Sequence, residues 1–549
     1  MPFDRQSWFA REDWASEAVL YQIDVRLFGG DYHTDLPAVI AERGEPADGL
    51  LAVGRSGHFT QVTEQLDYLV ELGINTVWIM PPFARGVERA KGPGSPYAVR
   101  SFRTLNPEFG PEEDFAHLVE EAHRRYLKVI VGFVPNHMAP DNELLEQHRD
   151  DDRWFYQSID GELYYDLDWW DTCKLNYRNP RVRTHITERL LDLVYRFKVD
   201  GFRCDVAFMP TATPLSARLD PHADQGGWTT FWQEAIPHLR AQARTWHRES
   251  QDRPRELFFL AEVYYYDEAV KLLRDGFDAV YHQYFLDRQT DKFSLALITI
   301  DIQEQIRQEL TDLARIWHDG TGEQAARSRP LTLRFAENHD YARAAHRCGG
   351  LAQSRVATAA AFTTACVPML LYGQEYGALV RPTITEAVDY AVTKEHPGRL
   401  IVQALQVQLF PGKQERQTSY RWYRRLLELR QRFDCLRCGE FYQINVRGDG
   451  GFSDVDVVAF VRWLPGELVL VALNYNIRGE TRMLWLKELW PSLHSERCIG
   501  WKELLEQTGL PTKLRLQNLW KEGELMLEAG EVPILELPSC AVAMYGYSG

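Results

Sequence analysis

Short apolar runs alternate with amphipathic stretches along residues 19–373. The runs have strand length and little polar alternation, which is typical of parallel strands buried on both faces. The stretches between them carry apolar residues at helical spacing. Eight runs are predicted as strands: Val19–Phe28, Thr76–Pro81, Lys128–Val134, Val199–Ala207, Leu257–Tyr264, Ala279–Phe285, Leu331–Asn338 and Val367–Gly373. The predicted helices are His58–Leu72, Glu112–Tyr126, Val182–Phe197, Thr229–His247, Asp267–Arg274, Leu295–His318, Ser354–Thr364 and Tyr420–Arg432.

The order of these elements predicts the fold class. Eight strand–helix units with continuously apolar strands close most economically into an eight-fold β/α (TIM) barrel. A doubly wound open sheet is the alternative, but it has no crevice that uses so many strand ends at once. After Arg432 the pattern changes to short alternating strands such as Asp456–Trp463 and Leu468–Tyr475. These strands predict a C-terminal antiparallel β-sandwich.

Two predicted connections are long for a compact domain, namely Gly29–Gly57 after the first strand and Met138–Tyr177 after the third. Loops of this length are usually functional or form a small subdomain. The predicted divisions of the chain are residues 1–137 and 178–435 for the barrel, 138–177 for the loop subdomain, and 436–549 for the sandwich.

The composition of the chain limits the kinds of binding partner and indicates the cellular compartment. A net charge of −16 argues against a nucleic-acid or anionic-membrane partner. The first residues, MPFDRQSWFAREDW, lack the basic and apolar regions of a signal peptide. The eight cysteines are scattered, and Cys435 and Cys438 form the only CxxC pair, which does not favour zinc or redox chemistry. These features predict a cytoplasmic protein with free thiols.

Acidic and histidine side chains recur where the predicted barrel strands end. These residues are His137, Asp205, Glu262, His339 and Asp340. In a barrel of this kind the C-terminal ends of the strands carry the chemistry. Each residue taken singly is more often a helix cap or a loop residue. Together they place three carboxylates and two imidazoles on one rim. Interpreting each residue as a helix cap or a loop residue does not explain why they occur together.

The neighbours of two carboxylates predict opposed roles. Arg203 and Asp205 lie two apart in a strand and so share a face, where the guanidinium keeps the carboxylate charged for nucleophilic attack. A structural ion pair is the alternative. Glu262 follows an apolar run, a setting that favours a protonated carboxyl and an acid/base role. Two such carboxyls can split an acetal. Metal-dependent hydrolysis is the competing use, but no HxH or HExxH motif supports it.

An ordered set of short motifs resembles the α-amylase family of glycoside hydrolases. In chain order the set is Val19-Leu-Tyr-Gln-Ile23, Leu66-Asp-Tyr-Leu69, Val77-Trp-Ile-Met-Pro81, Gly94-Ser-Pro-Tyr97, Asn106-Pro-Glu-Phe-Gly110, Val134-Pro-Asn-His137, Gly201-Phe-Arg-Cys-Asp205, Ala261-Glu262, Asn338-His-Asp340 and Tyr372-Gly-Gln-Glu375. Each motif alone is weak, but the ordered set spans the whole predicted barrel. The resemblance extends to the loop subdomain and the C-terminal sandwich.

The resemblance implies a retaining hydrolase acting on α-linked glucans or malto-oligosaccharides. It implies Asp205 as nucleophile, Glu262 as general acid/base and Asp340 as the carboxylate that distorts and stabilises the oxocarbenium-like sugar. The implied substrate-binding residues are Tyr97 as a stacking platform, His137 and His339 as hydrogen-bonding partners of sugar hydroxyls, and Arg203 as the support of the nucleophile.

The chain departs from the family pattern at several positions. Gly132 and Ser101 stand where aspartates are usual, and Phe208-Met209 stands where starch-liquefying members carry Lys-His. That His helps to hold calcium, and Asn136 alone is thin evidence for the ion. We therefore expect no required cofactor or metal; a structural calcium is possible but not favoured. Val206 after the nucleophile hints at α-1,6 linkages.

Three functions remain open from the sequence. The first is the α-glucan hydrolase. The second is a transglycosylase with the same residues, such as a glucanotransferase or a maltose/trehalose-interconverting enzyme, since the covalent intermediate of a retaining mechanism accepts either water or a sugar hydroxyl. The third is a non-catalytic glycan-binding relative, which is disfavoured because all three carboxylates are present. The pair Trp169-Trp170 is either a further sugar subsite or a hydrophobic plug.

Overall fold

The chain forms a closed β/α barrel followed by an antiparallel sheet. The computed structural model describes residues 3–28, 57–90, 94–148, 154–158, 161–165, 169–210, 231–250, 256–281, 331–364, 366–379, 411–448, 456–477, 479–491 and 498–548. The predicted helix Leu295–His318, the last residues of the predicted sixth strand and nearly all of the loop Gly29–Gly57 lie outside these ranges.

The described strands are β1 Leu20–Ile23, β2 Thr76–Ile79, β3 Phe83–Arg85, β4 Val99–Leu105, β5 Lys128–Phe133, β6 His137–Met138, β7 Cys173–Lys174, β8 Gly201–Cys204, β9 Phe258–Ala261, β10 Ala279–Tyr281, β11 Leu331–Arg334, β12 Val367–Leu371, β13 Glu440–Arg447, β14 Val457–Leu464, β15 Glu467–Asn474, β16 Arg482–Pro491, β17 Lys513–Asn518, β18 Glu524–Glu528, β19 Ile534–Leu537 and β20 Val542–Ser548. The described α-helices are Arg5–Phe9, Val25–Phe28, Phe59–Glu64, Leu66–Leu72, Glu112–Arg124, Glu143–Gln147, Pro180–Phe197, Phe231–Ser250, Tyr266–Arg274, Ala344–Arg347, Leu351–Thr363, Lys413–Arg432, Asp434–Cys438 and Trp501–Thr508.

The barrel contains all eight predicted strands, in the order β1-β12-β11-β10-β9-β8-β5-β2, and every neighbouring pair is parallel. The TIM-barrel prediction is therefore confirmed. Several boundaries were wrong: β8, β9 and β11 end three to four residues before the predicted positions. The largest difference is in the first strand, because β1 ends at Ile23 and Val25–Phe28 is helical. The cause is Asp24, whose Oδ1 accepts a hydrogen bond from the Arg26 amide at 2.9 Å and so favours a helical turn over an extended strand.

The N-terminal segment closes the base of the barrel. Trp8 and Trp14 are buried in one apolar cluster with side chains from inside the barrel, such as Leu20, Trp78 and Met369. Trp14 Nε1 donates to the Glu256 carbonyl at 3.1 Å, just before β9. Sequence patterning did not foresee this plug, because Arg5–Phe9 is too short for a helical period to be visible.

The loop after β5 forms a small unit above the barrel. Strand β6 pairs antiparallel with β7 through His137 and Lys174, so the two ends of the loop meet next to the strand termini. The helix Glu143–Gln147 is capped by Asn142, whose side chain accepts hydrogen bonds from two backbone amides. The β6–β7 ladder thus positions this loop over one side of the barrel rim.

The C-terminal strands are antiparallel, as predicted for a sandwich, and hydrogen-bond as one eight-stranded sheet in the order β18-β17-β20-β15-β14-β13-β16-β19. One side of the sheet forms its own core together with the helix Trp501–Thr508. Alternate side chains of the central strands, such as Val458 and Val471, join the core of the barrel. The helix Leu351–Thr363 lies at this junction, and its alanines let the sheet approach closely.

All eight cysteines are free, as the sequence predicted. Within the described ranges, no helix combines the length and the apolar character needed to span a membrane.

Candidate active site

The first pair of site residues is presented by β8. Arg203 lies within the strand, and Asp205 follows it with its backbone amide bonded to the Phe133 carbonyl of β5 at 2.8 Å. The first residue of β8 is Gly201. A larger residue does not fit there, because its β-carbon would lie only 2.1 Å from the Phe258 carbonyl oxygen. This close approach of β8 to β9 brings Asp205 next to Glu262, which follows β9.

Arg203 is completely buried and joins the two carboxylates. Its Nη1 donates to Asp205 Oδ1 at 2.6 Å, and its Nη2 lies 2.6 Å from Glu262 Oε1. The Nη2 contact is an ion pair without the alignment of a hydrogen bond. Tyr281 accepts from Arg203 Nε at 3.1 Å, and the guanidinium carbon lies 5.1 Å from the Trp78 ring centre. One fixed cation therefore serves both carboxylates.

This geometry corrects the predicted assignment of opposed environments. Glu262 is not in an apolar setting: besides Arg203, the Val206 amide donates to its Oε2 at 2.8 Å and the Tyr264 hydroxyl donates to its Oε1 at 2.7 Å. The sequence argument failed because the flanking residues of Glu262 point away from its carboxyl group, and the polar partners come from other positions.

The electrostatics of Asp205 also differ from the prediction. Burial raises the pKa of its carboxyl well above the usual range, and the charge of Glu262 and a hydrogen bond with it raise the pKa further, against the opposing effect of Arg203. The hydrogen bond between the two carboxyl groups needs a proton on one of them. A pair with one acid and one anion is the equipment for general acid and nucleophile together.

Replacing Asp205 by Asn is expected to stabilise the fold at neutral pH. Because the folded-state pKa is raised, the stability that the protonated carboxyl contributes is complete below the unfolded-state pKa of about 3.9 and is lost as the pH rises through the folded-state pKa. The Asn side chain stays neutral at all these pH values. The free energy of unfolding of the variant relative to the wild type should therefore grow by about 1.4 kcal/mol per pH unit between the unfolded-state and folded-state pKa values of Asp205. Urea unfolding of both proteins from pH 4 to 8 measures this difference. An advantage that does not change with pH would contradict the raised pKa.

Tyr97 and His339 form a stacked pair at the opposite side of the site. Their rings are 12° from parallel with centroids 5.4 Å apart. The Gln22 side-chain amide donates to His339 Nδ1 at 2.6 Å, which assigns the ring proton to Nε2, and Nε2 donates to the Tyr97 hydroxyl at 2.6 Å. Both ring nitrogens of His339 thus have partners within the protein, so its predicted contact with a sugar hydroxyl requires an exchange of partners.

Asp340 belongs to the same rim but is more accessible. Its side chain is 40% exposed, and its Oδ1 lies 3.4 Å from His339 Nε2. The Asn338 side chain accepts from the Asp340 amide at 3.0 Å and donates to its Oδ2 at 3.3 Å. This accessible carboxylate can contact a ligand directly.

His137 lies between Asp205 and the loop subdomain. Its Nε2 is 4.0 Å from Asp205 Oδ2, and Asn136 donates to its Nδ1 at 3.1 Å. The Trp169 ring packs against the imidazole with centroids 5.4 Å apart, while Trp170 is exposed. A cleft opens at this point, lined by Asn136, His137, Tyr164, Trp169, Thr172, Lys174 and Met209.

The structure explains one departure from the family pattern and describes another. A β-carbon at Gly132 would lie 2.7 Å from Pro81 Cδ and 2.9 Å from the Pro81 nitrogen, so the usual aspartate does not fit there. Ser101 donates to Glu143 Oε2 at 2.8 Å, a contact that an aspartate at this position would replace by repulsion. In the described part of the chain, no three His, Cys, Asp or Glu side chains are arranged to hold a metal ion.

The seven predicted site residues thus lie around one rim, and the sequence missed the residues that support them. Tyr264, Tyr281, Trp78 and Gln22 each contact one of the seven. Their position at or just after barrel strands was the available signal, but aromatic and amide side chains are too common there to stand out. The contribution of Val206 is a backbone amide, which no side-chain pattern reveals.

The model of the alpha-amylase catalytic domain matches residues 36–153 and 140–398. Neopullulanase 2 of Thermoactinomyces vulgaris is 26% identical over 510 residues, covering 88% of this chain and 74% of that protein. The cyclomaltodextrinase of Thermoanaerobacter pseudethanolicus is 22% identical over 502 residues, covering 88% and 74%. The crystal structure of a maltogenic alpha-amylase from Thermotoga neapolitana is similar in fold, with a TM-score of 0.65, 20% identity and coverage of 97% of this chain and 99% of that one.

Proposed function

Because the chain belongs to the alpha-amylase family, we propose that it hydrolyses α-glucosidic bonds in α-glucans or malto-oligosaccharides with retention of configuration. The observation that carries the proposal is the buried pair Asp205 and Glu262 on one guanidinium, whose two carboxyl groups share a hydrogen bond through which one proton can pass between them.

In the first step Asp205 attacks the anomeric carbon while Glu262 gives its proton to the departing glycosidic oxygen. The carbon–oxygen bond breaks, and a glucosyl ester of Asp205 forms. In the second step Glu262 takes a proton from water, whose oxygen displaces the Asp205 carboxylate from the anomeric carbon. Arg203 neutralises the pair throughout, and Asp340 stabilises the positive charge that develops on the sugar ring.

The remaining residues are proposed to bind the sugar. Tyr97 supplies an aromatic face for stacking at the bottom of the site, held by His339. His137 points toward Asp205 from the side of the loop subdomain and can donate to a sugar hydroxyl. Since both carboxylates come from the chain itself, we propose that the reaction requires no cofactor or metal.

Substrate and location follow as parts of the same proposal. Relatives named neopullulanase and cyclomaltodextrinase support pullulan and cyclomaltodextrins as candidate substrates beside malto-oligosaccharides. Eight free cysteines support a reducing compartment, and therefore the cytoplasm. The net charge of −16 disfavours nucleic acid and anionic membranes as partners.

Incubation of the purified protein with maltopentaose alone is expected to give only shorter sugars. The first product should carry the α configuration at its new reducing end, because two displacements restore it. Proton NMR over a time course measures both points, with the Asp205→Asn variant as control. Products longer than maltopentaose would identify a transglycosylase. Unchanged maltopentaose, panose and trehalose would contradict catalysis and favour the glycan-binding alternative.

A further inference from the structure

Glu262 accepts more hydrogen bonds than a proton donor should. Val206 N–H bonds one of its oxygens, and the Tyr264 hydroxyl bonds the other, on which the Arg203 cation also acts. Donors and cations favour the ionised form of a carboxyl group. The free protein therefore holds Glu262 as an acceptor, whereas the first step of the proposed reaction needs it as an acid.

The contacts differ in how firmly they are fixed. Arg203 has no exposed surface and is held by Asp205, Tyr281 and the Trp78 ring. The Val206 amide is part of a backbone with φ +34°, a conformation that a β-branched residue adopts only when its surroundings enforce it. Neither of these two contacts can leave Glu262 without rearranging the end of β8.

Tyr264 is the contact that can leave. It lies on the loop between β9 and the helix Tyr266–Arg274, and 42% of it is exposed. Its ring rests edge-on against Phe208 with centroids 6.1 Å apart. Burial of the hydroxyl next to Glu262 raises the pKa of Tyr264, so this hydroxyl remains a donor.

We propose that Tyr264 is a positioning residue whose hydroxyl occupies Glu262 Oε1 in the free enzyme and leaves it when a sugar occupies the site. The departing sugar's glycosidic oxygen must reach Glu262, and it replaces the Tyr264 hydroxyl as the partner of that carboxyl group. Substrate binding thereby converts Glu262 from acceptor to proton donor: the proton of the Asp205–Glu262 hydrogen bond passes to Glu262 and leaves Asp205 as the anionic nucleophile. This inference rests on the proposed acid/base role of Glu262.

Other groups in the described part of the chain also act on this site. The charged and titratable side chains that interact with Glu262 include Arg203, Asp205, Tyr97, Tyr264 and Tyr281. Asp340 acts on Tyr264 by its charge. Among them, Tyr264 combines a direct hydrogen bond to Glu262 with an exposed side chain. Its removal should therefore change the titration of the pair without removing a catalytic group.

The test is the pH dependence of maltopentaose hydrolysis by Tyr264→Phe. The profile of kcat/KM reports the free enzyme, and that of kcat reports the complex. Loss of a donor lets the carboxyl keep its proton to higher pH, so the alkaline limb of kcat/KM is expected to move up by roughly one pH unit. The alkaline limb of kcat should stay in place, because the hydroxyl has already left Glu262 in the complex.

Tyr265→Phe is the matched control, since Tyr265 also packs edge-on against Phe208, is 54% exposed and belongs to the same loop. For Tyr265→Phe, the alkaline limbs of kcat/KM and of kcat should coincide with those of the wild type. Coincident limbs for Tyr264→Phe, with thermal unfolding unchanged, would overturn the proposal. A shift of both limbs would refute the release step, because the hydroxyl would then stay bonded throughout. An inactive wild-type protein would instead refute the proposed function.

Discussion

Asp205→Asn should lower kcat on malto-oligosaccharides by at least about 10⁴-fold, because the amide cannot form the glycosyl ester. The fold should persist, since the amide oxygen can still accept from Arg203 Nη1, which lies 2.6 Å from Oδ1. The measurement is reducing-sugar release at saturating maltopentaose, with thermal unfolding as the check on folding. Wild-type turnover by a purified, homogeneous variant would show that Asp205 is not the nucleophile.

Chemical rescue separates a lost nucleophile from a disturbed site. In Asp205→Ala, azide can enter the vacated space and attack the anomeric carbon of α-maltosyl fluoride, from which fluoride departs without a proton. The expected product is the β-maltosyl azide, because only one displacement has occurred. Formation of the α-azide, or no rescue by azide in a folded variant, would contradict direct attack by Asp205.

Glu262→Gln should affect substrates in proportion to their need for a proton. With glucose as the leaving group, the expected loss in kcat is about 10²–10⁴-fold. With fluoride as the leaving group, the first step needs no proton donor and the loss should be less than about tenfold. Rates on maltopentaose and on α-maltosyl fluoride, measured with the same preparations, give the comparison.

Equal losses would contradict the acid role, whereas accumulation of the glycosyl ester would agree with the acid/base role. Equal losses on both substrates would mean that Glu262 supports the site without transferring a proton. A rate limited by the second step would appear as accumulation of the glycosyl ester on Asp205, which mass spectrometry detects. In that case addition of azide should accelerate the Gln variant, since azide does not need deprotonation by Glu262.

The barrel could be predicted because each of its strands is recognisable from its own residues. In β5, residues 129–133 are apolar because they are buried on both faces of the sheet, and such runs are separated by clear helical periods. The base plug could not be predicted in this way. Trp8 and Trp14 are buried by contacts with strands that lie far along the chain, and nothing in their own neighbourhood indicates those partners.

The site shows the same contrast between local and distant information. The positions of Asp205 and Glu262 follow from where β8 and β9 end, so strand prediction places them on one rim. Their protonation does not follow, because it depends on atoms that meet only in the fold. Arg203 adjoins Asp205 in sequence yet contacts Glu262 as well, and the Val206 amide reaches across to Oε2. Flanking residues are therefore a poor guide to the charge of a buried carboxyl.

The closure between β1 and β12 has a consequence for biosynthesis. Leu20 pairs with Met369, so the ribosome makes the first strand roughly 20 to 70 s before its partner, at ordinary rates of translation over about 350 residues. During that interval the growing sheet has an unpaired edge at each side, and such edges recruit other chains. With only four residues, β1 offers a short edge, which limits this hazard. The barrel therefore closes its last pair of edges only when the eighth strand has been made.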